Sequence, residues 1–348
     1  MGEGALAAGR RGRPCANLKA MEPTNQLEER AASGDPEAKF DLARELICGA
    51  DSALHFERWV ALVEESSNAG HAPATELWAI FEAMGVSRPQ NWEGAFDRLR
   101  IAADQGSVSA QRQLLILGRR EAEPAEAVGA DHWAQVRASI ATPELFAHGE
   151  RESLSDAPRI RIIRSFANRA ECAWLIDRAR SRVARAKVID AGGAQRLDPA
   201  RTNSGTDFPV QDMDIVLEVI RNRIAAATRI PVPVFEPTQV LHYNVGEEFK
   251  LHHDFLDPAN PSHGNLLDFG QRIATFLIYL NEEFEGGATQ FPDVGIEYRG
   301  TTGDAIFWAN VDHDARPDPL TLHAGLAPTS GEKWILSQWI RDRTPARR

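Results

Sequence analysis

The chain has little sulphur and little tyrosine: its 348 residues include three cysteines, four methionines and three tyrosines. Cys15, Cys48 and Cys172 are scattered without pairing spacings, and their odd count points to a reducing compartment, read here as the cytoplasm, rather than to a disulfide framework. No apolar run approaches the ~18 residues of a membrane helix, so no span and no membrane partner is expected. Basic charge is also in deficit. Lys and Arg number 39 against 50 Asp and Glu, a net charge of -11, which argues against a nucleic-acid partner because phosphate neutralisation needs a basic face. Arg10, Arg11 and Arg13 are followed by no apolar segment, so the start does not read as a secretory signal. Residues 1–26 are expected to form a disordered leader, with Met21 a candidate true start. What is present is ordinary: 43% hydrophobic and 26% charged residues, enough chain for two or three domains.

Residues 27–118 repeat. Gly34, Gly70 and Gly106 stand 36 residues apart; each is followed by Ala38, Ala74 or Ala110, and then by Leu42, Trp78 or Leu114. Small and apolar residues at i, i+4 and i+8 share a helical face, and a glycine just before them suits a turn between helices. The period implies stacked helical hairpins, an all-α solenoid, and the runs Ala31-Ala32-Ser33-Gly34-Asp35-Pro36 and Ala102-Ala103-Asp104-Gln105-Gly106-Ser107 resemble Sel1-type repeats, relatives of tetratricopeptide repeats. Such an array is a candidate site for a protein partner. Residues 119–157 read as a linker with one probable extra helix capped by Asp131, and residues 158–343 as a second domain.

The second domain holds the chemistry. His252 and Asp254 are one residue apart, so on an extended chain both leave the same face of a strand and can meet one ion. His323, on a later strand-like run, is the best third ligand. Two histidines and a carboxylate on one face of an ion leave the other face open, an arrangement suited to non-haem Fe(II) oxygenases. Lys333 follows ten residues later; a turn at residues 328–331 would return it beside His323, where a cation could anchor the far carboxylate of a dicarboxylic co-substrate. Short apolar runs at 239–243, 272–280, 303–308, 320–323 and 334–340, separated by turn residues, argue for a β-sandwich or barrel, with helices at 170–184 and 211–228 beside it. Zinc hydrolysis is the other chemistry open to such a ligand set, though it leaves Lys333 without a task.

From Pro158 to Arg341 the sequence resembles the prolyl 4-hydroxylase family of Fe(II)/2-oxoglutarate dioxygenases. The blocks that carry the resemblance are Arg201-Thr202-Asn203-Ser204-Gly205, Tyr243-Asn244-Val245-Gly246 leading to His252-His253-Asp254, Gln271-Arg272-Ile273-Ala274-Thr275, Gly286-Gly287-Ala288-Thr289, Gly303-Asp304-Ala305-Ile306-Phe307-Trp308, and His323-Ala324-Gly325 with Lys333-Trp334.

The resemblance implies a double-stranded β-helix of the jelly-roll kind; Fe(II), 2-oxoglutarate and O2 as cofactor and co-substrates, with ascorbate as reductant; and no catalytic side chain beyond the metal centre. It puts His252, Asp254 and His323 on the metal, and Lys333, Tyr243 and Thr289 on 2-oxoglutarate. Arg272 and Trp339 match positions lining the peptide groove, and Arg201 lies in a segment that is a mobile loop over the site in relatives. Phe249 stands where the family commonly has Tyr, which removes a hydroxyl near the substrate, and His253 replaces the usual aromatic residue between the ligands. The implied reaction is hydroxylation of an aliphatic carbon, foremost a prolyl residue of a protein or peptide, with decarboxylation of 2-oxoglutarate to succinate and CO2. A free amino acid or small metabolite as substrate, and a non-catalytic repeat scaffold, remain as alternatives.

Overall fold

The computed structural model describes residues 23–49, 51–120, 131–186, 188–189, 195–260 and 263–344. The leader up to residue 22 and the linker-like run 121–126 lie outside them. The chain forms two compact units, one built on Met1–Ala147 and Val210–Arg223, the other on His148–Pro209 and Ile224–Ala346.

In the first unit, α1 (Thr24–Ala32), α2 (Pro36–Cys48), α3 (Phe56–Asn68), α4 (Ala72–Met84), α5 (Trp92–Asp104) and α6 (Val108–Leu117) each pack on the next. The 36-residue period falls on the turns inside successive pairs, where Gly34, Gly70 and Gly106 have φ of 99°, 87° and 89°. That left-handed conformation strains any residue with a Cβ. One turn further on, Ala38, Ala74 and Ala110 are fully buried, so the helices of each pair approach closely. Trp59, Trp78, Phe81 and Val63 fill the core beside them. Asp35 and Ser107 cap α2 and α6 with their side chains. Two short helices follow, α7 (His132–Ala138) and α8 (Thr142–Phe146). Asp131 precedes α7 as expected, but its side chain makes no capping bond. Cys48 is in a disulfide, against the expectation from the scattered cysteines, whereas Cys172 is buried and not disulfide-bonded.

The sequence-based boundary at 158 differs from these units, which start the second one at His148 and return Val210–Arg223 to the helical unit. Long-range polar bonds account for the latter. The Ile215 N–H donates to Gln113 Oε1 at 2.9 Å, and the Arg223 guanidinium to the Leu145 carbonyl at 2.8 Å.

The second unit combines antiparallel sheets with helices. Its larger sheet runs, in spatial order, β1 (Glu152–Asp156), β2 (Arg159–Ile163), β13 (Ala305–Ala309), β9 (Arg272–Tyr279), β16 (Lys333–Arg341), β7 (Thr238–Tyr243), β6 (Ser204–Phe208) and β3 (Ala184–Arg185). The smaller sheet runs β12 (Ile296–Tyr298), β11 (Thr289–Phe291), β14 (His323–Gly325) and β8 (Phe249–His252). Two ribbons complete it, β10 (Phe284–Gly286) with β15 (Pro328–Gly331), and β4 (Val188–Ile189) with β5 (Gln195–Arg196). Helix α9 (Arg169–Arg180) opens with an Asn168–Glu171 capping box, and α11 (Gly264–Leu267) is a short later helix, whereas α10 (Ile215–Thr228) belongs for most of its length to the helical unit.

Side chains from both sheets fill the space between them, among them Ile160, Leu241, Ile306 and Ile335 from the larger and Phe291 and Tyr298 from the smaller. The nearly continuous apolar run on β9 has a simple reason. Phe276 packs on Phe166 and Phe307 on one face, while Thr275, Leu277 and Tyr279 alternate onto the other, so both faces are covered by protein except where Leu277 borders the cavity. Two expectations change. Residues 328–331 form strand β15 rather than a turn, and Ser204-Gly205, read as loop, pair with β7 inside the larger sheet.

Candidate active site

The cavity between the sheets is lined by alternate residues of three strands of the larger sheet: Leu241 and Tyr243 on β7, Thr275 and Leu277 on β9, and Lys333, Ile335, Ser337 and Trp339 on β16. The period of two is what places an ammonium, a hydroxyl and an indole on one wall. The smaller sheet supplies the other wall.

There, His252 and His323 are direct partners across the β8–β14 ladder, with ring centroids 4.2 Å apart. Asp254 joins them differently from the sequence reading. Strand β8 ends at His252, and Asp254 lies beyond it in an irregular turn, so strand alternation does not aim the carboxylate. It is nonetheless placed between the rings, Oδ1 at 3.6 Å from His252 Nε2 and Oδ2 at 3.5 Å from His323 Nε2. The three residues' ligand atoms lie within 4.8 Å of one another. Each imidazole is fixed by its other nitrogen: Nδ1–H of His252 donates to the Lys250 carbonyl at 2.7 Å, and that of His323 to the Thr321 carbonyl at 2.9 Å. A carbonyl only accepts, so both Nε2 lone pairs face the common point.

Protonation states agree with that. Burial, reinforced by His252, pushes His323 down to about 4, leaving a neutral imidazole. Burial alone would raise Asp254, but the neighbouring His323 and His252 and the Thr275 hydroxyl outweigh it and hold the carboxyl well below the usual range. The Thr275 hydroxyl donates to Asp254 Oδ2 at 2.7 Å and accepts from Asn310 Nδ2 at 3.0 Å.

Lys333 comes from the opposite wall, not from the strand beside His323, because β16 pairs with β7 and places Lys333 against Tyr243. It is 2% exposed, and among the described residues no carboxylate and no hydrogen-bond acceptor meets its ammonium. Its Nζ lies 4.8 Å from the Tyr243 ring centroid and 5.6 Å from that of Tyr279. Burial pushes its pKa down to about 7. A buried cation without an anion is costly, so the site is complementary to a carboxylate that comes from elsewhere. The Gly286-Gly287 block makes room for it: a Cβ on Gly287, at φ +64°, would meet the Phe284 ring at 2.8 Å and the Lys333 stem at 3.2 Å. Donor set and cation together fit a divalent iron and a dicarboxylic 2-oxo acid.

The remaining expected residues divide. The Tyr243 hydroxyl makes no hydrogen bond to the protein among the described residues; burial raises its pKa to about 12, so it stays a proton donor. Thr289 lines the cavity, but its proton is engaged. Tyr279 spends its hydrogen on the Tyr298 carbonyl at 2.8 Å, so the Thr289 hydroxyl, 2.9 Å away, donates to Tyr279. Trp339 lines the cavity, whereas Arg272 lies behind it, its guanidinium 3.6 Å from the indole centroid and paired with both oxygens of Glu236. Arg201 is buried rather than in an open loop: it bridges to Phe249, stacks on that ring at 4.7 Å, and hydrogen-bonds Asn203. Phe249 in turn stacks on His252, centroids 3.5 Å apart and planes 14° from parallel. The sequence reading treated Phe249 as a lost hydroxyl; its place is a platform between the Arg201 guanidinium and the His252 imidazole.

This fold and site define an oxygenase with a two-histidine, one-carboxylate facial set. Residues 238–341 match the model of the 2OG-Fe(II) oxygenase superfamily. The chain is 34% identical over 211 residues to probable prolyl 4-hydroxylase 10 of Arabidopsis thaliana, covering 55% of this chain and 71% of the relative. It is 36% identical over 216 residues to prolyl 4-hydroxylase 5 of the same plant, covering 56% and 72%. A solved viral collagen prolyl hydroxylase from Paramecium Bursaria Chlorella virus-1, in complex with 2OG, aligns at 31% identity and a TM-score of 0.40 over 54% of this chain and 98% of that one. The chain belongs to the prolyl 4-hydroxylase family of 2-oxoglutarate- and Fe(II)-dependent dioxygenases.

Proposed function

We propose that the chain hydroxylates a prolyl residue of a protein or peptide, with His252, Asp254 and His323 holding Fe(II) and Lys333 anchoring 2-oxoglutarate. The observation that carries this is the pairing, across one cavity, of a facial donor set with a buried ammonium that has no protein anion. When bound, iron with O2 and the 2-oxo acid supplies an oxidant for an unactivated C–H bond, which no side chain can provide. The protein's own part is placement. The two imidazoles and the ionised carboxylate would hold the metal; Thr275 orients Asp254; the Lys333 ammonium and the Tyr243 hydroxyl receive the far carboxylate; Thr289 supports them through Tyr279 rather than by donating itself. Trp339 and Arg201 line the substrate side, and Arg272, held by Glu236, backs the Trp339 ring. Ascorbate as reductant and a cytoplasmic setting belong to the same reading, the disulfide at Cys48 weighing against the latter.

The antiparallel sandwich is assigned to the double-stranded β-helix class, and the paired helices to a solenoid of the Sel1/tetratricopeptide kind that presents a polypeptide or a protein partner. One observation favours a small substrate instead: Arg201 is a second buried cation lining the cavity, with Asp254 and Asp207 in its electrostatic surroundings but neither ion-paired to it, a fit for the carboxylate of a free amino acid. Incubation with Fe(II), ascorbate and 2-oxoglutarate, offering a proline-containing peptide and free proline side by side, separates the two. Gain of one oxygen on the peptide, matched by succinate and absent in His252→Ala, is expected. Oxygen gained on the free amino acid alone overturns the peptide assignment, and no succinate under any condition favours a scaffold.

A further inference from the structure

Asp254 supplies the anionic ligand, yet it lies past the end of β8, where no ladder hydrogen bonds hold the backbone. A ligand displaced by more than ~0.5 Å loses productive geometry, so something else must fix residues 253–256. We propose that Gln271 is a positioning residue for the metal carboxylate, its side-chain amide replacing the missing ladder bonds.

Its Oε1 accepts from the Leu256 N–H at 2.6 Å and its Nε2 donates to the Leu256 carbonyl at 2.7 Å, so one amide satisfies both backbone groups two residues after Asp254. This is the bonding a neighbouring strand would have given. Gln271 is itself rigidly placed. Its N–H donates to Asp342 Oδ1 at 3.1 Å, its carbonyl accepts from the Asp342 N–H at 3.0 Å, and its Oε1 also accepts from the Arg272 N–H at 2.9 Å. Four residues on, Thr275 of β9 reaches Asp254 Oδ2, so β9 and the residue just before it hold the arm at carboxylate and backbone together. From the other side the His253 ring, through Nε2–H, donates to the Pro319 carbonyl at 2.9 Å, tying the arm to the turn that leads into His323. Leu256, 2% exposed, seats the far end in apolar surroundings.

The inference rests on the metal reading above, and the test keeps the two apart. Fe(II) affinity is measured anaerobically for wild type, Gln271→Ala and Gln271→Glu, with the 2-oxoglutarate KM at saturating iron and the thermal midpoint of each. Gln271→Ala is expected to bind iron about tenfold to a hundredfold more weakly, with the 2-oxoglutarate KM within about twofold because Lys333 sits on the other wall. Gln271→Glu keeps the acceptor for Leu256 N–H but turns an oxygen toward the Leu256 carbonyl, so its loss is expected to be of the same kind; should the alanine variant not fold, the glutamate variant decides. Iron affinity within about twofold of wild type, or iron and 2-oxoglutarate affinity falling in parallel as general loosening would produce, overturns the inference. A wild-type protein that binds no iron overturns the metal reading itself.

Discussion

At the scale of single residues, the Lys333 ammonium is the most exacting feature of the cavity. With its pKa pushed down to about 7 by burial, the free protein loses the charge just where the co-substrate needs it. Only the ammonium form attracts a carboxylate, and a bound carboxylate favours that form. The affinity for 2-oxoglutarate is therefore expected to be flat below about pH 7 and to fall by about tenfold per unit above it, until the complexed ammonium itself titrates. Dissociation constants measured across that range check this; a flat profile would contradict it. Lys333→Ala is expected to raise the 2-oxoglutarate KM about tenfold to a hundredfold, the worth of one charged hydrogen bond, while iron affinity changes little. Phe249→Ala removes the plane on which His252 rests, and is expected to weaken iron binding severalfold with 2-oxoglutarate binding retained, readable by metal titration. The candidate residues stood out in the sequence because two histidines, an aspartate and a lysine are chemically conspicuous, and the structure brings the ligand atoms of the first three within 4.8 Å of one another. Phe249 and Gln271 were not, since a ring that stacks and an amide that bonds backbone leave no trace in residue type or spacing.

At the scale of elements, the short apolar runs that became β7, β9 and β16 were legible as strands; which of their residues form the cavity wall follows from the period of two, since residues two apart share a face whatever the partner strand. Pairing was not legible. Lys333 was placed beside His323 on an assumed hairpin, whereas residues 328–331 join β10, and β16 crosses to β7. Local sequence reports the period of a strand but not which distant strand completes its hydrogen bonds. The short Gly286-Gly287 connection offers a test at this scale. Gly287→Ala would need a left-handed backbone and would press on Phe284 and the Lys333 stem, so a stability loss of roughly 1–3 kcal/mol is expected in urea unfolding, with weaker 2-oxoglutarate binding alongside. An unchanged midpoint would show that the ribbon gives way more easily than its packing implies.

At the scale of the whole molecule, the 36-residue period announced the helical pairs from glycine and alanine alone, but the return of Val210–Arg223 to that unit depends on bonds spanning about a hundred residues and could not be read locally. Val216, Leu217, Val219 and Ile220 of that returning segment are fully buried. A fragment that begins at His148 is expected to expose part of this surface and to bind a hydrophobic dye or aggregate, whereas an equally soluble fragment would argue for self-sufficiency of the oxygenase unit. The cavity also has a bearing on the reaction's product. In the proposed arrangement Lys333 grips only the far end of 2-oxoglutarate, and oxidative decarboxylation leaves that end untouched, so succinate would depart carrying the handle by which its precursor was held. On that placement succinate is expected to compete with 2-oxoglutarate for the same ammonium, which inhibition kinetics at varied 2-oxoglutarate would check.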